Sequence, residues 1–182
     1  MVGGRKTSPR SHVPPPTSCE VRILPSPEDL AEEGIGVFLA AAKEAIGARG
    51  VFHVALSGGS TPRALHELLA RESFERKVDW KRVRFFWGDE RCVPPDSERS
   101  NYRMARETLL QPLRIPGEHV FRMRGEDPPR AAAALYEEVL ALELGADWPR
   151  LDLIFLGLGP DGHTLSLFPG TRALQERLRK VV

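Results

Sequence analysis

The sequence predicts an α/β domain built on a mostly parallel sheet. Three observations lead there. Apolar runs of strand length alternate with helical segments along the chain. The three central runs, Val51–Leu56, Val83–Trp87 and Leu151–Leu156, are almost continuously apolar, as strands covered on both faces are. A polar, glycine-containing cluster follows each run, and ligands in open parallel sheets bind beyond the strand carboxyl ends.

The elements follow in order. Met1 to Ser18 are rich in Gly, Ser, Pro and basic residues and contain Pro14, Pro15 and Pro16. With no apolar run, they predict a disordered leader and not a secretory signal. Residues 19–182 are long enough for one core and too few for two full domains. Val21, Ile23 and Leu24 suggest a short strand. Ser26 then caps a helix opened by Pro27. Its apolar face reads Leu30, Val37, Phe38, Ala41, Ala45 and Ile46, and Gly47 and Gly50 end it. After the Val51–Leu56 strand, Leu65, Leu68 and Leu69 mark a second helix, with Thr61 placed to cap it and Pro62 in its first turn. The Val83–Trp87 strand leads through Pro94 and Pro95 to a helix from Ser100 to Leu110. Val120–Met123 suggests a short strand. Pro129–Leu144 reads as a helix with Leu135, Val139 and Leu142 on one face, and Leu151–Leu156 is the last clear strand.

Composition narrows the function classes. With 26 basic and 25 acidic residues the net charge is +1, so no nucleic-acid or acidic-membrane partner is expected. No stretch approaches the roughly 20 apolar residues that a membrane span needs. Arg supplies 21 of the basic residues, which suits phosphate ligands and equally suits a biased composition. Cys19 and Cys92 are too few for a disulfide framework and match no metal spacing, so a reducing compartment fits. Cys92 reads as an ordinary cysteine.

The first cluster is Ser57-Gly58-Gly59-Ser60-Thr61-Pro62. Its glycines permit close backbone approach, and the helix behind it would present free N–H groups to an anion. A phosphate cradle made by Gly58, Gly59, Ser60 and Thr61 is one reading, and a tight turn with a normal cap is the other. It is not a Walker loop, because no Lys follows the glycines in that pattern. The second cluster, Gly88-Asp89-Glu90-Arg91, could bind sugar hydroxyls, hold a catalytic group or meet a substrate's charge. Taken alone, the cluster reads better as a solvated turn or internal ion pair. In the third cluster, Asp161-Gly162-His163-Thr164, a histidine stands two residues after an aspartate in a glycine loop. His163 is the natural general base at neutral pH, with Asp161 to orient its ring. Gly159 and Gly162 would give a ligand access. His12, His53, His66 and His119 take structural or solvated roles by default, and no metal set forms around them. Ser57 and Ser60 lack the Gly-x-Ser-x-Gly elbow, which argues against a covalent serine mechanism.

Together these segments resemble the 6-phosphogluconolactonase family. The resemblance runs through Leu56 to Pro62, Trp87 to Pro94, Ser100-Asn101-Tyr102, and Leu156 to Pro169, in family order. It implies a Rossmann-like three-layer sandwich shared with glucosamine-6-phosphate deaminases. It implies hydrolysis of 6-phospho-D-glucono-1,5-lactone to 6-phosphogluconate in the oxidative pentose phosphate pathway, without metal or organic cofactor. His163 would activate water, Asp161 would orient it, Ser60 and nearby amides would hold phosphate, and Asp89 and Arg91 would position the sugar. The expected protein is a cytoplasmic monomer with a sugar-phosphate lactone as its partner and a functional link to glucose-6-phosphate dehydrogenase. Family members continue past the position of Val182 with a further strand, opened by an Arg-containing run, and helices. The expectation is therefore an incomplete domain lacking that strand and those helices. Two rivals stand beside this reading. A deaminase of the same fold carries Glu five residues after the histidine, where this sequence has Phe168. A non-catalytic sugar-phosphate binding module would need the cradle but no base.

Overall fold

The computed structural model describes residues 20–145 and 148–182; the predicted leader lies outside them. Its α/β architecture agrees with the sequence reading. Helix α1 (Pro27–Arg49) precedes strand β1 (Phe52–Leu56), helix α2 (Ser60–Leu69), a single turn α3 (Glu72–Glu75) and strand β2 (Val83–Trp87). Helix α4 (Asn101–Ala105) runs on into a π-helical turn (Arg106–Leu110), and α5 (Pro129–Leu144) and β3 (Leu153–Ile154) follow. The strands are parallel in the order β2-β1-β3.

Alternation along β1 and β2 divides the core. Phe52, Val54 and Leu56, with Val83, Phe85 and Trp87, face α1, α2 and the π turn. Ala55 and Phe86 face α5, where they meet Tyr136 and Leu140. Period-2 side-chain alternation thus needs helices on both faces, which is why both strands read as continuous apolar runs. Phe38 of α1 packs edge-on against Phe52 with centroids 5.2 Å apart.

Several expectations are corrected. No strand forms at residues 21–24, and Val21 and Ile23 are exposed. In α1 the Ser26 hydroxyl accepts from the Asp29 N–H as predicted, but the helix passes through Gly47 and stops only at Gly50, whose φ of 77° suits a glycine cap. Its buried stripe is Ala31, Ile35, Phe38, Ala42 and Ala45, while Leu30 and Val37 are exposed. Small alanines let the helix lie close to its neighbours, with Ile35 and Phe38 as the large side chains of the stripe. On α5 the buried residues are Tyr136 and Leu140, and Leu135 and Leu142 face outward. Tyr136 fixes that rotation, because its hydroxyl accepts from the Trp87 N–H at 2.9 Å. The Val120–Met123 strand shrinks to one parallel bridge between Val120 and Phe85. The last strand is likewise short, pairing Leu153 and Ile154 with Val54 and Ala55. It is held by Asp152, whose carboxylate accepts from the His53 N–H at 2.8 Å and pairs with Arg49.

Candidate active site

Because the strands are parallel, the loops after β1, β2 and β3 emerge on one rim. They enclose a cleft of about 220 Å³. Ser57, Gly58 and Gly59 line it from the first loop, Asp89 and Arg91 from the second, and Gly159 and His163 from the third. Ser60, Thr61, Asp161 and Gly162 lie outside that lining.

The first loop differs in detail from its expected form. Helix α2 begins at Ser60, so Gly59, with φ 112°, occupies the cap position assigned to Thr61. Proline suits any position of a first turn, where N–H groups lack intrahelical partners, so Pro62 does not fix the start. No side chain caps α2, which leaves its first amides without the usual side-chain acceptor. A Cβ on Gly58 would come within 1.9 Å of Asn101 Oδ1, so this contact requires glycine. Ser57 is buried, and its hydroxyl has no hydrogen-bond partner among the described residues.

In the second loop the two carboxylates have different duties. Glu90 organises the start of α4: its Oε1 accepts from the Asn101 N–H at 2.8 Å, and its Oε2 from the Tyr102 N–H at 2.9 Å and the Ser100 hydroxyl at 3.0 Å. That is a helix-capping role. Asp89 is buried beside the cleft, with Oδ1 accepting from Asn101 Nδ2 at 3.2 Å and Oδ2 from the Ser166 hydroxyl at 2.6 Å. Arg91 is exposed.

The third loop presents the Asp161–His163 pair. His163 Nδ1 and Asp161 Oδ1 are 2.5 Å apart, and the same oxygen accepts from the His163 N–H at 3.2 Å. The His163 hydrogen bond holds the Asp161 carboxyl below its usual range. With Asp161 ionised, the shared proton sits on Nδ1, and Nε2 is left as the basic nitrogen. The ring lies against Gly159, where a Cβ would come within 2.2 Å of its Cε1. The Gly159 N–H donates to the His163 carbonyl at 2.8 Å and the Gly162 N–H to the Gly159 carbonyl at 3.0 Å, so both amides are spent inside the loop. Among the described residues no group of three His, Cys, Asp or Glu side chains is arranged for a metal ion.

Residues 25–182 match the family described as glucosamine-6-phosphate isomerases/6-phosphogluconolactonase. The chain belongs to this family. It is 50% identical over 121 residues to a 6-phosphogluconolactonase of Treponema pallidum, covering 65% of this chain and 50% of the relative. It is 40% identical over 165 residues to one of Nostoc sp., covering 88% of this chain and 67% of the relative. Its fold is similar to the structure of a 6-phosphogluconolactonase from Trypanosoma cruzi, with a TM-score of 0.77 and 35% identity, covering 86% of this chain and 65% of that one. The chain thus spans about half to two thirds of the length of these relatives.

One feature bears on the choice between the two activities in the family's description. Phe168 stands five residues after His163. Its ring packs on the imidazole with centroids 4.5 Å apart and planes 32° from parallel. A phenyl ring there neither accepts nor donates a proton. The sequence reading assigned no role to Ser57, which lines the cleft, or to Asn101 and Ser166, which hydrogen-bond Asp89 beside it. For Asn101 and Ser166 the only available signal was their place inside the segments that resemble the family.

Proposed function

We propose that this chain acts on 6-phospho-D-glucono-1,5-lactone, hydrolysing it to 6-phosphogluconate. The observation that carries the reading is the Asp161–His163 pair, with its imidazole lining the same cleft as the glycine loop before α2 and Arg91.

Each residue type has work to do in such a reaction. His163 Nε2 takes a proton from water as the water oxygen attacks the lactone carbonyl carbon. Asp161, ionised beside it, steadies the imidazolium that results. When the tetrahedral adduct collapses, the bond from carbonyl carbon to ring oxygen breaks and His163 returns its proton to that oxygen. The carboxylic acid product then ionises. A lactone is an activated ester, so one base and good positioning are sufficient. The uncapped N-terminus of α2, with the Ser60 and Thr61 amides and hydroxyls, suits the phosphate, since free helix N–H groups and a partial positive charge favour an anion. Arg91 adds a charge at the cleft. Gly58 and Gly59 permit close approach. Asp89, Gly159 and Gly162 serve by shaping the loops.

The Phe168 contact favours the lactonase over a deaminase. The reading extends to a cytoplasmic monomer that takes the lactone released by glucose-6-phosphate dehydrogenase; the near-zero net charge supports independence from nucleic acid and acidic membrane. Among the described residues no helix is long and apolar enough to cross a membrane.

The test generates lactone in place with glucose-6-phosphate dehydrogenase and follows its loss against the spontaneous rate. Wild-type turnover above background, reduced about 100-fold or more in His163→Ala, is the expected result. Circular dichroism establishes that both proteins are folded. Equal rates in the two folded proteins would remove His163 as the base. Phosphogluconate binding without turnover would replace the enzyme with a binding module.

A further inference from the structure

The three rim loops are joined to one another by a chain of side chains, none of which the proposed reaction uses chemically. Asn101 lies at its first junction. Its Oδ1 occupies the space that a Cβ on Gly58 would need, and its Nδ2 donates to both the Asp89 carbonyl, at 3.1 Å, and Asp89 Oδ1, at 3.2 Å. Asp89 makes the second junction, where Oδ2 accepts from the Ser166 hydroxyl at 2.6 Å across 77 residues of sequence. Beside that bond, Leu165 presses on Gly88, where a Cβ would come within 2.8 Å of Leu165 Cδ2. Leu165 has φ 52°, a left-handed conformation uncommon for a branched apolar residue. A residue held there needs its surroundings to over-determine it. The adjacent contacts of Leu165 on Gly88 and Ser166 on Asp89 do so.

The remaining atoms agree with this role. Both Asp89 carboxylate oxygens are engaged by protein donors, and the residue is buried. Ser166 does not line the cleft, while His163, three residues before it, does. Among the described residues the one hydrogen bond of the His163 side chain is to Asp161, which is exposed and two residues away in the same loop. That bond orients the ring within the loop but cannot anchor the loop to the sheet. The anchor must come from elsewhere.

From this geometry we infer that Ser166 is a positioning residue, which latches the His163 loop to Asp89 at the end of β2 and so sets where the base stands over the cleft. Asn101 braces Asp89 and carries the same constraint to Gly58. The inference rests on the lactonase reading for its kinetic consequence, though not for its structural one.

Two variants of the full chain test it. Ser166→Ala removes the hydroxyl at an exposed position, and Ser166→Thr keeps it. Lactone hydrolysis by Ser166→Ala is expected to fall about tenfold in kcat with KM within about twofold, because a hydrogen bond to a charged group is lost away from the substrate. Ser166→Thr is expected to recover most of that loss. In parallel, NMR of ring-labelled histidine follows the His163 imidazole without substrate, with His163→Ala identifying its signals. Those signals should move in Ser166→Ala and return towards the wild-type position in Ser166→Thr. Unmoved His163 signals in Ser166→Ala would overturn the latch, and so would a loss confined to KM. If wild type turns nothing over while the His163 signals respond as stated, the lactonase reading fails and the latch stands.

Discussion

The two faces of the sheet are built to different standards. On one, α1, α2 and the π turn bury Phe52, Val54 and Leu56 of β1 and Val83, Phe85 and Trp87 of β2. On the other, among the described residues α5 is the one long helix, and the buried cluster is Ala55, Phe86, Tyr136 and Leu140. A cavity of about 420 Å³ opens beside it, bounded by Phe86, Tyr136, Ile154, Leu156 and Val181. Leu156 is 60% exposed and Leu142 83%. Strands of similar apolar content thus end in different environments. An apolar run records that a strand can be buried; which of its residues are buried depends on what arrives from other parts of the chain. The rim belongs to neither face, and its loops are held by hydrogen bonds where the core is held by packing.

The comparison can be broken most directly by truncating its two sides. Phe85→Ala, on the heavily covered face, is expected to cost about 3–5 kcal/mol, since a fully buried ring leaves a void its neighbours cannot fill. Urea unfolding measures this. A cost near 1 kcal/mol would mean that this face is as loosely packed as the other.

His66 sharpens the same contrast through pH. It is buried between α2 and the π turn, 3.4 Å from the Thr108 hydroxyl, and burial lowers its pKa from 6.5 to about 4. The folded protein keeps the ring neutral while the unfolded chain protonates below pH 6.5. Stability from this group is therefore complete above about 6.5 and lost as pH falls towards 4, by about 3 kcal/mol in all. Urea midpoints measured from pH 7 to 4 should fall, and in His66→Gln they should fall less. Parallel curves would show that His66 takes up its proton without unfolding.

On the lightly covered face, Tyr136→Phe is expected to cost about 1–3 kcal/mol. It keeps the ring but leaves the Trp87 N–H without its acceptor in a buried place. A neutral result would mean that water enters the cavity and replaces the hydroxyl. The smallest effect is expected from Leu142→Ala, within about 0.5 kcal/mol, as for an exposed position that supports no special feature. A loss as large as that at Phe85 would show that something covers this surface in solution.

Much of the site was legible before any coordinates, for reasons that differ by residue. Asp161 and His163 could be paired because two residues of a glycine-containing loop suffice to bring carboxylate and ring together. The Ser26 cap and the Gly50 stop were readable because both act on backbone groups within one turn. Thr61 was misjudged as a cap because Pro62 is tolerated at more than one position of a first turn. Glu90 was one of two acidic residues in a polar turn until α4 supplied the amides it caps. Ser57 was one serine among several until the fold buried it.

The sequence by itself determined the α/β class, the strands β1 and β2, the order of the three clusters and the pairing of Asp161 with His163, because periodicity, turn chemistry and short motifs are local. The tertiary structure alone decided which stripe of α1 and α5 is buried and how short β3 is. It also decided that Asn101, Asp89 and Ser166 form one brace across the rim. Each of these is set by partners tens of residues away, and the free energy that selects them exists only once those partners are packed together.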